Sequence, residues 1–488
     1  MSGVEANPKR KIATIGILVG LLLSALDGTV VATALPRILD ELHGFELYFL
    51  PTALFMLFQT VSMPIWGRLS DLYGRARFHL LAVAILIAGS ILCAQSKTMG
   101  YLVAFRAIQG LGAGGLMSLS FTMIADLYDL QERAKMQGAI SSVWGVASLL
   151  GPPLGGWIPQ HWSWQGIFYL NIPVGLVSAV LVQASWPKMA AVGKGRVDIP
   201  GAILLVLTSA CLLSAFGMAG NQGWFSPRTL ESFGAATVFA GLLVVVERRT
   251  SDPFLAYDLY RSRLFTTGAA TGVCAMVCLF AAVMHIPLLV SGVIGSSLQA
   301  GGNTLTCMML PWMVCSAMTK PLLARFSYRT LAIVGMVFAG AAYGLLANLD
   351  AGVTLVQVIL SMVLLGTGLG LTVAPLLIAA QNAVTKDRLG AATSLTQFSR
   401  SMGAAIGLAV MGSLLAQAFG GREPEGIIKF RSQMNPELLK TMVAPLVTGL
   451  RNVFRSGVVA AVLGILLAFT IPTGKAEDLK LPAPVPEG

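Results

Sequence analysis

Long apolar runs broken by short charged turns repeat from one end of the chain to the other. Fourteen such runs are visible, at about 12–35, 49–66, 78–96, 101–124, 137–159, 165–186, 199–220, 230–246, 264–291, 302–320, 330–349, 354–382, 388–418 and 452–472. Each is long enough to cross a hydrocarbon core of ~30 Å as a helix. The pattern predicts an all-α polytopic membrane protein. Runs one to six and nine to fourteen form two six-helix halves, with runs seven and eight as a two-helix insert. This divides the chain into 1–186, a linker with the insert at 187–263, a second half at 264–474 and a tail at 475–488. Twelve spans, with the insert demoted, is the competing count, but 199–220 and 230–246 are as apolar as their neighbours.

The connections alternate in charge. Lys9–Lys11; Arg68, Arg75 and Arg77; Arg133 and Lys135; Lys188, Lys194 and Arg196; Arg248, Arg249, Arg261 and Arg263; Lys320, Arg325 and Arg329; Lys386 and Arg388; and Lys475 and Lys480 fall on one side. The other side offers Arg37, Lys97 and Arg228 until the loop 419–450, whose 436–450 stretch reads as an amphipathic helix on the membrane surface. Positive charge marks the cytoplasmic face, so both termini are expected there, in a cell (inner) membrane.

Composition agrees. Of 488 residues, 55% are hydrophobic and 11% charged, against about 25% charged in soluble chains. The net charge of +11, from 33 basic and 22 acidic residues, is accounted for by the cytoplasmic loops, so no nucleic-acid partner is expected. The six cysteines lie in apolar runs, and Cys274 and Cys278 are four apart rather than in a CxxC pair. No phosphate loop of the form GxxxxGK[ST] and no His/Cys ligand cluster is visible. These absences argue against an enzyme, an ATP-driven pump, a metal or a cofactor. Asp27 and the polar 29–33 region follow the first apolar stretch without a cleavage site, so the first run is expected to stay in the protein.

Candidate chemistry begins with Asp27, the one charge between Lys11 and Arg37. It lies 16 residues past Lys11, or roughly 24 Å along a helix, in the far half of the bilayer. An acid there is costly unless it is partnered, wet or protonated, and such acids mark proton and cation paths. Arg106, five residues into the fourth run, shares that depth and is the natural partner. Gly110, Gly112, Gly114 and Gly115 follow it and allow close helix approach. The turn Gly67-Arg-Leu-Ser-Asp71-Leu-Tyr-Gly74-Arg75-Ala-Arg77 concentrates charge between two spans, with Asp126, Glu132 and Arg133 in the next loop as partners. A turn of this kind can grip a neighbour in one conformation and release it in another. Gly145, Gly151, Pro152, Pro153, Gly155 and Gly156 bend and smooth the fifth run. Gln59, Gln109, Gln381, Gln397, His285 and Arg400 are polar residues within spans and candidate cavity groups. For His285, a hydrogen-bonded helix contact is the plainer role.

These motifs, in this order over nearly the whole chain, resemble the major facilitator superfamily and, within it, a fourteen-span drug:proton antiporter branch. LDGTVVATALP (26–36), GRLSDLYGRAR (67–77), RAIQGLGAGG (106–115), GPPLGG (151–156), WQGIFYLNIPVG (164–175), LGTGLGLTVAP (365–375) and QFSRSMGAAIG (397–407) carry the likeness. Ala32, Leu72 and Gln165 depart from the usual pattern, and the second-half counterpart of the loop motif, within 320–329, is degenerate. The resemblance implies that Asp27 and Arg106 couple cargo to protons. It makes Asp71, Arg75 and Arg77 a cytoplasmic latch, and places Gly151 and Pro152 between the halves. It further implies a monomer exporting lipophilic, cationic drugs amid membrane lipid. Export of lipids or other amphiphiles, and uncoupled facilitated flux, are the alternatives on the same fold.

Overall fold

A computed structural model describes residues 8–43, 47, 50–128, 130–187, 198–250, 259–296, 298–350, 352–385, 388–418 and 436–473. Every regular element among them is helical. The helices are α1 (Pro8–Leu42), α2 (Leu50–Tyr73), α3 (Arg75–Ala94), α4 (Met99–Leu127), α5 (Leu130–His161), α6 (Gln165–Tyr169), α7 (Asn171–Ser185), α8 (Ile199–Gln222) and α9 (Pro227–Arg249). There follow α10 (Arg263–Leu288), α11 (Leu298–Ala317), α12 (Thr319–Arg325), α13 (Tyr328–Leu346), α14 (Leu355–Asn382), α15 (Leu389–Ala418) and α16 (Pro436–Phe469). Lys188, Lys194, Arg196, Lys386, the loop 419–435, the tail from 474 and the side chain of Pro152 lie outside the described residues.

Local chemistry marks the ends. Thr98, Ser226, Ser262, Ser327 and Thr354 accept from backbone N–H groups in the first turns of α4, α9, α10, α13 and α14. Such caps satisfy donors that have no partner a turn earlier. Gly74 joins α2 to α3 at φ +103°, a conformation that favours glycine. Pro321 lies four residues past Ala317, where its ring would strike that carbonyl. There α11 ends, and α12 continues at 54°.

Among the described residues, eleven helices are long and apolar enough to cross a membrane, or twelve if the bent α11–α12 pair counts as one span. The fourteen apolar runs therefore exceed the number that passes on length and composition. The difference lies in α2 and α5, 24 and 32 residues long, whose Gly, Pro, Ser and Gln content dilutes their hydropathy. The surface helix expected at 436–450 is not separate. Instead α16 runs unbroken from Pro436 to Phe469, and Leu446, Val447 and Leu450 are buried against the end of α15 and the π turn at Leu289–Ile294. That stretch finds protein to pack on, so it need not lie in the interface.

Two groups of helices pack around separate cores. In the first, α1 lies against α5 and α7, and α4 against α2 and α3. In the second, α10 meets α14, α15 and α16, and α13 and α11 flank α14. The groups meet along two seams, α2 with α15 and α5 with α11, while α8 pairs with α9 and lies across α2 and α15.

The glycines of α4 serve two faces. A Cβ at Gly110 would stand 2.5 Å from the Phe55 carbonyl oxygen of α2, and one at Gly112 would stand 2.5 Å from the Leu86 nitrogen of α3. Both contacts are to backbone, which cannot swing aside. Gly110→Ala should therefore lower the thermal unfolding temperature of the purified protein, at a cost of about 1–3 kcal/mol. Gly156→Ala, at a position with open space around it, should leave that temperature unchanged.

Candidate functional site

Asp27 sits inside the first helix group, 1% exposed, with its two carboxylate oxygens treated differently. Oδ2 is paired with Arg106 Nη1. Oδ1 accepts from Gln109 Nε2 at 2.7 Å and from Asn171 Nδ2 at 2.8 Å. Arg106, fully buried, also donates to Gln109 Oε1 at 2.7 Å and to the Pro51 carbonyl at 3.4 Å, and its guanidinium lies 3.9 Å from the centre of the Phe55 ring. A buried pair is costly unless hydrogen bonds meet its remaining valences. Here α2, α4 and α7 supply partners and α3 supports two of them through Ser90, while Arg106 Nη2 is left without one among the described residues. Gln109 and Asn171 both reach Ser90 Oγ, at 2.7 and 3.0 Å. Gln59, half-buried, donates to Ser24 Oγ at 3.0 Å, one turn of α1 away from Asp27.

The charged turn between α2 and α3 forms a second cluster. Asp71 pairs with Arg75, and Arg75 donates to Asp126 Oδ2 at 2.8 Å and to Ser70 Oγ at 2.7 Å. The Asp71 carboxylate also crosses to the second helix group. It accepts from the backbone N–H of Gly390 at 3.1 Å and of Ala391 at 2.9 Å. Leu389 opens α15, so these are first-turn donors at the positive end of a helix, where an anion is favoured. Gly67 permits the approach, since a Cβ there would lie 2.7 Å from the Gly390 carbonyl oxygen.

Apolar helices thus enclose one acid–arginine pair, and a charged turn grips the opposite helix group. The sequence model of the Major Facilitator Superfamily matches residues 17–408. The chain belongs to the Major Facilitator Superfamily. It is 30% identical over 431 residues to the multidrug transporter protein MdtP of Bacillus subtilis, covering 88% of this chain and 80% of that protein. It is 33% identical over 410 residues to multidrug resistance protein 3 of the same organism, covering 84% and 80%. The crystal structure of the human organic anion transporter MFSD10 (TETRAN) matches at TM-score 0.65 and 16% identity, over 95% of this chain and 100% of that one. The proton:xylose symporter XylE matches at TM-score 0.64 and 12% identity, over 97% and 98%; at these identities the structural likeness speaks for the fold alone. The protein is thus a multi-pass membrane transporter of this superfamily.

Within the superfamily frame the remaining sequence candidates fall in different places. Gly151 and Gly155 lie against α1, where a Cβ would run into Thr29 and Thr33, and Gly145 and Gly156 face open space. On that side Gly151 packs within its own helix group. Contacts of α5 with the second group include Gly138 facing Ala317 and Ser142 bonding Met313 Sδ at 2.9 Å. The latch gathers Asp71, Arg75 and Asp126 but not every expected member. Arg77 is exposed outside the cluster, Glu132 pairs with Arg10 at 2.9 Å, and Arg133 donates to the Tyr128 carbonyl at 2.9 Å.

In the second group, Arg400 is 3% exposed, donating to Gln397 Oε1 at 3.1 Å and the Val373 carbonyl at 2.9 Å. Its Nε has no partner, and among the described residues no acid pairs with it. Gln381 donates to Thr393 Oγ1 at 3.3 Å. His285 Nδ1 is bonded to the Ala281 carbonyl of its own helix at 2.9 Å, the helix contact expected of it. Asn171 and Ser90 were not legible as partners of Asp27. Asn171 carried a signal, being a strongly polar amide in the apolar run WQGIFYLNIPVG, whereas a lone serine in a span carries none.

Proposed function

We propose that the protein is a proton-coupled antiporter that exports lipophilic, cationic drugs by alternating access. The observation that carries this reading is one buried carboxylate, Asp27, whose charge is matched by a single buried guanidinium, Arg106. A proton on Asp27 leaves Arg106 uncompensated, and a cationic cargo competes with Arg106 for the same oxygen. Proton and cargo then exclude one another, and a transporter whose two conformations bind them unequally exchanges one for the other. The names of the two Bacillus subtilis relatives support drug cargo. Counting α2 and α5 as spans takes the number to fourteen, with two six-helix halves at 1–186 and 264–474 and the pair α8–α9 between them. We place both termini and the Asp71 turn in the cytoplasm, in a cell membrane, and take the working unit as a monomer in contact with lipid.

A second reading keeps the fold and changes the cargo to an uncharged or acid-bearing amphiphile. It rests on Arg400, a buried cation that pairs with no acid among the described residues. Both readings meet in proteoliposomes loaded with a lipophilic cationic dye under an imposed pH gradient. Antiport predicts efflux that accelerates with the gradient and collapses when a protonophore is added. Equal dye flux with and without a gradient marks an uncoupled facilitator. Immobile dye beside a moving neutral amphiphile marks the second reading.

A further inference from the structure

Ser90 is buried on α3 without touching Asp27, yet it decides how two of the three residues bonded to Asp27 are oriented. A serine hydroxyl has one proton and two lone pairs. The Ser90 proton is committed to the Leu86 carbonyl at 2.9 Å, so both lone pairs face outward as acceptors. Gln109 Nε2 and Asn171 Nδ2 fill them at 2.7 and 3.0 Å. Each amide nitrogen has a second N–H, and both of these point at Asp27 Oδ1, at 2.7 and 2.8 Å. With either amide turned over, its oxygen would face a carboxylate and a filled lone pair together. The arrangement admits one orientation of both amides, and that orientation suits the charged form of Asp27.

We propose that Ser90 and Asn171 are positioning residues of the proton site, which set the pH at which Asp27 takes up its proton and keep the carboxylate in place when Arg106 lets go. The inference rests on the proton-coupled reading. The division of labour is visible in the two oxygens, with the charged partner Arg106 on Oδ2 and neutral amides on Oδ1. The surroundings hold few other charges. The titratable or charged groups facing this turn of α1 are Arg106 from α4 and Cys93 from α3, whose sulfur lies 3.6 Å from Gln109 Oε1. From α2 comes the Gln59 amide on Ser24, from α5 the Ala147 carbonyl on Thr29 at 3.3 Å, and from α7 the uncharged Asn171. Donors on a carboxylate oxygen favour the charged form of the acid over the protonated one, so the amides on Oδ1 bear directly on the proton exchange of this site.

The test reads protonation directly. Full-length protein in detergent is titrated by infrared difference spectroscopy, with the Asp27 carboxyl band identified by its loss in Asp27→Asn. Asn171→Leu removes a donor to Oδ1 and should move the midpoint of that band by about one pH unit, the scale of one hydrogen bond to a charged group. Ser90→Ala acts through the two amides and should move it in the same direction by less. The double variant should move it by less than the sum, because the two act through one network. Ser118→Ala, which deletes a buried hydroxyl with no partner among the described residues, controls for lost volume and should leave the midpoint alone. An unmoved midpoint in Ser90→Ala, with thermal unfolding intact, overturns the proposal even if Asn171→Leu fails to fold. The same variants in proteoliposomes separate the two claims. A shifted band without gradient-driven efflux removes the antiporter reading and leaves the positioning role. Gradient-driven efflux with an unmoved band removes the positioning role alone.

Discussion

Asp27→Asn should reduce gradient-driven dye efflux from proteoliposomes to the leak of protein-free vesicles. Asparagine keeps the shape and cannot cycle a proton, so binding of a neutral cargo survives while coupling does not. The substitution also strands Arg106, which is fully buried and has Asp27 as its acid partner. Breaking a buried pair from one side costs about 3–5 kcal/mol. The single variant should accordingly unfold at a markedly lower temperature. Adding Arg106→Gln should restore much of that stability without restoring efflux, because it removes the stranded charge and not the missing proton site. Gradient-driven efflux persisting in Asp27→Asn would falsify coupling through this residue.

Asp71→Ala should open the seam between α2 and α15. The carboxylate holds Arg75 and two first-turn N–H groups of α15, and hydrogen bonds to charged groups contribute about 1.5–3 kcal/mol each. Losing even one such contact corresponds to a shift of about tenfold or more between closed and open seam. Ser394, against which Gly67 packs, reports on this directly. With the six native cysteines replaced, a cysteine introduced at 394 should react with a membrane-impermeant maleimide at least about tenfold faster when Asp71 is alanine. Arg77→Ala should leave the labelling rate unchanged, since Arg77 is exposed and outside the cluster. Equal labelling in all three proteins would mean that the seam is held by its apolar contacts alone.

Depth was legible in the sequence and direction was not. The shared depth of Asp27 and Arg106 pointed to their pairing, and the glycine-flanked turn pointed to Asp71, Arg75 and Asp126 as a group. Which way a helix faces is harder to read in a membrane. Lipid and protein core are both apolar, so the outer and inner faces of a span carry the same kinds of residue and no polar stripe marks the phase. That is why the sequence resemblance, which put Gly151 and Pro152 between the halves, could not show that Gly151 turns toward Thr29 of α1. It is also why Asn171 and Ser90 were missed. Their position along α7 and α3 is plain, but only the packed helices show that both turn toward Asp27. The spacing also could not show that Glu132 bonds Arg10 and Arg133 the Tyr128 carbonyl, since a loop charge can reach partners on several helices.

A greasy molecule dissolved in the bilayer meets the two helix groups at two lateral seams, and these are not equivalent. Behind α2 and α15 lies α4, and behind α5 and α11 lies α14, so on the inside the seams correspond. On the outside, α8 lies across α2 and α15, its Val206, Ala210 and Leu213 packed with Leu57, Val61 and Met402. Beside α5 and α11 the described residues place, outside α14, the seven-residue α12, which continues α11 and touches α5. Among the described residues, then, α8 shutters one side window between the helix groups and leaves the other without such a cover. Under the proposed function, lipophilic cargo entering from the bilayer would meet the two flanks on unequal terms.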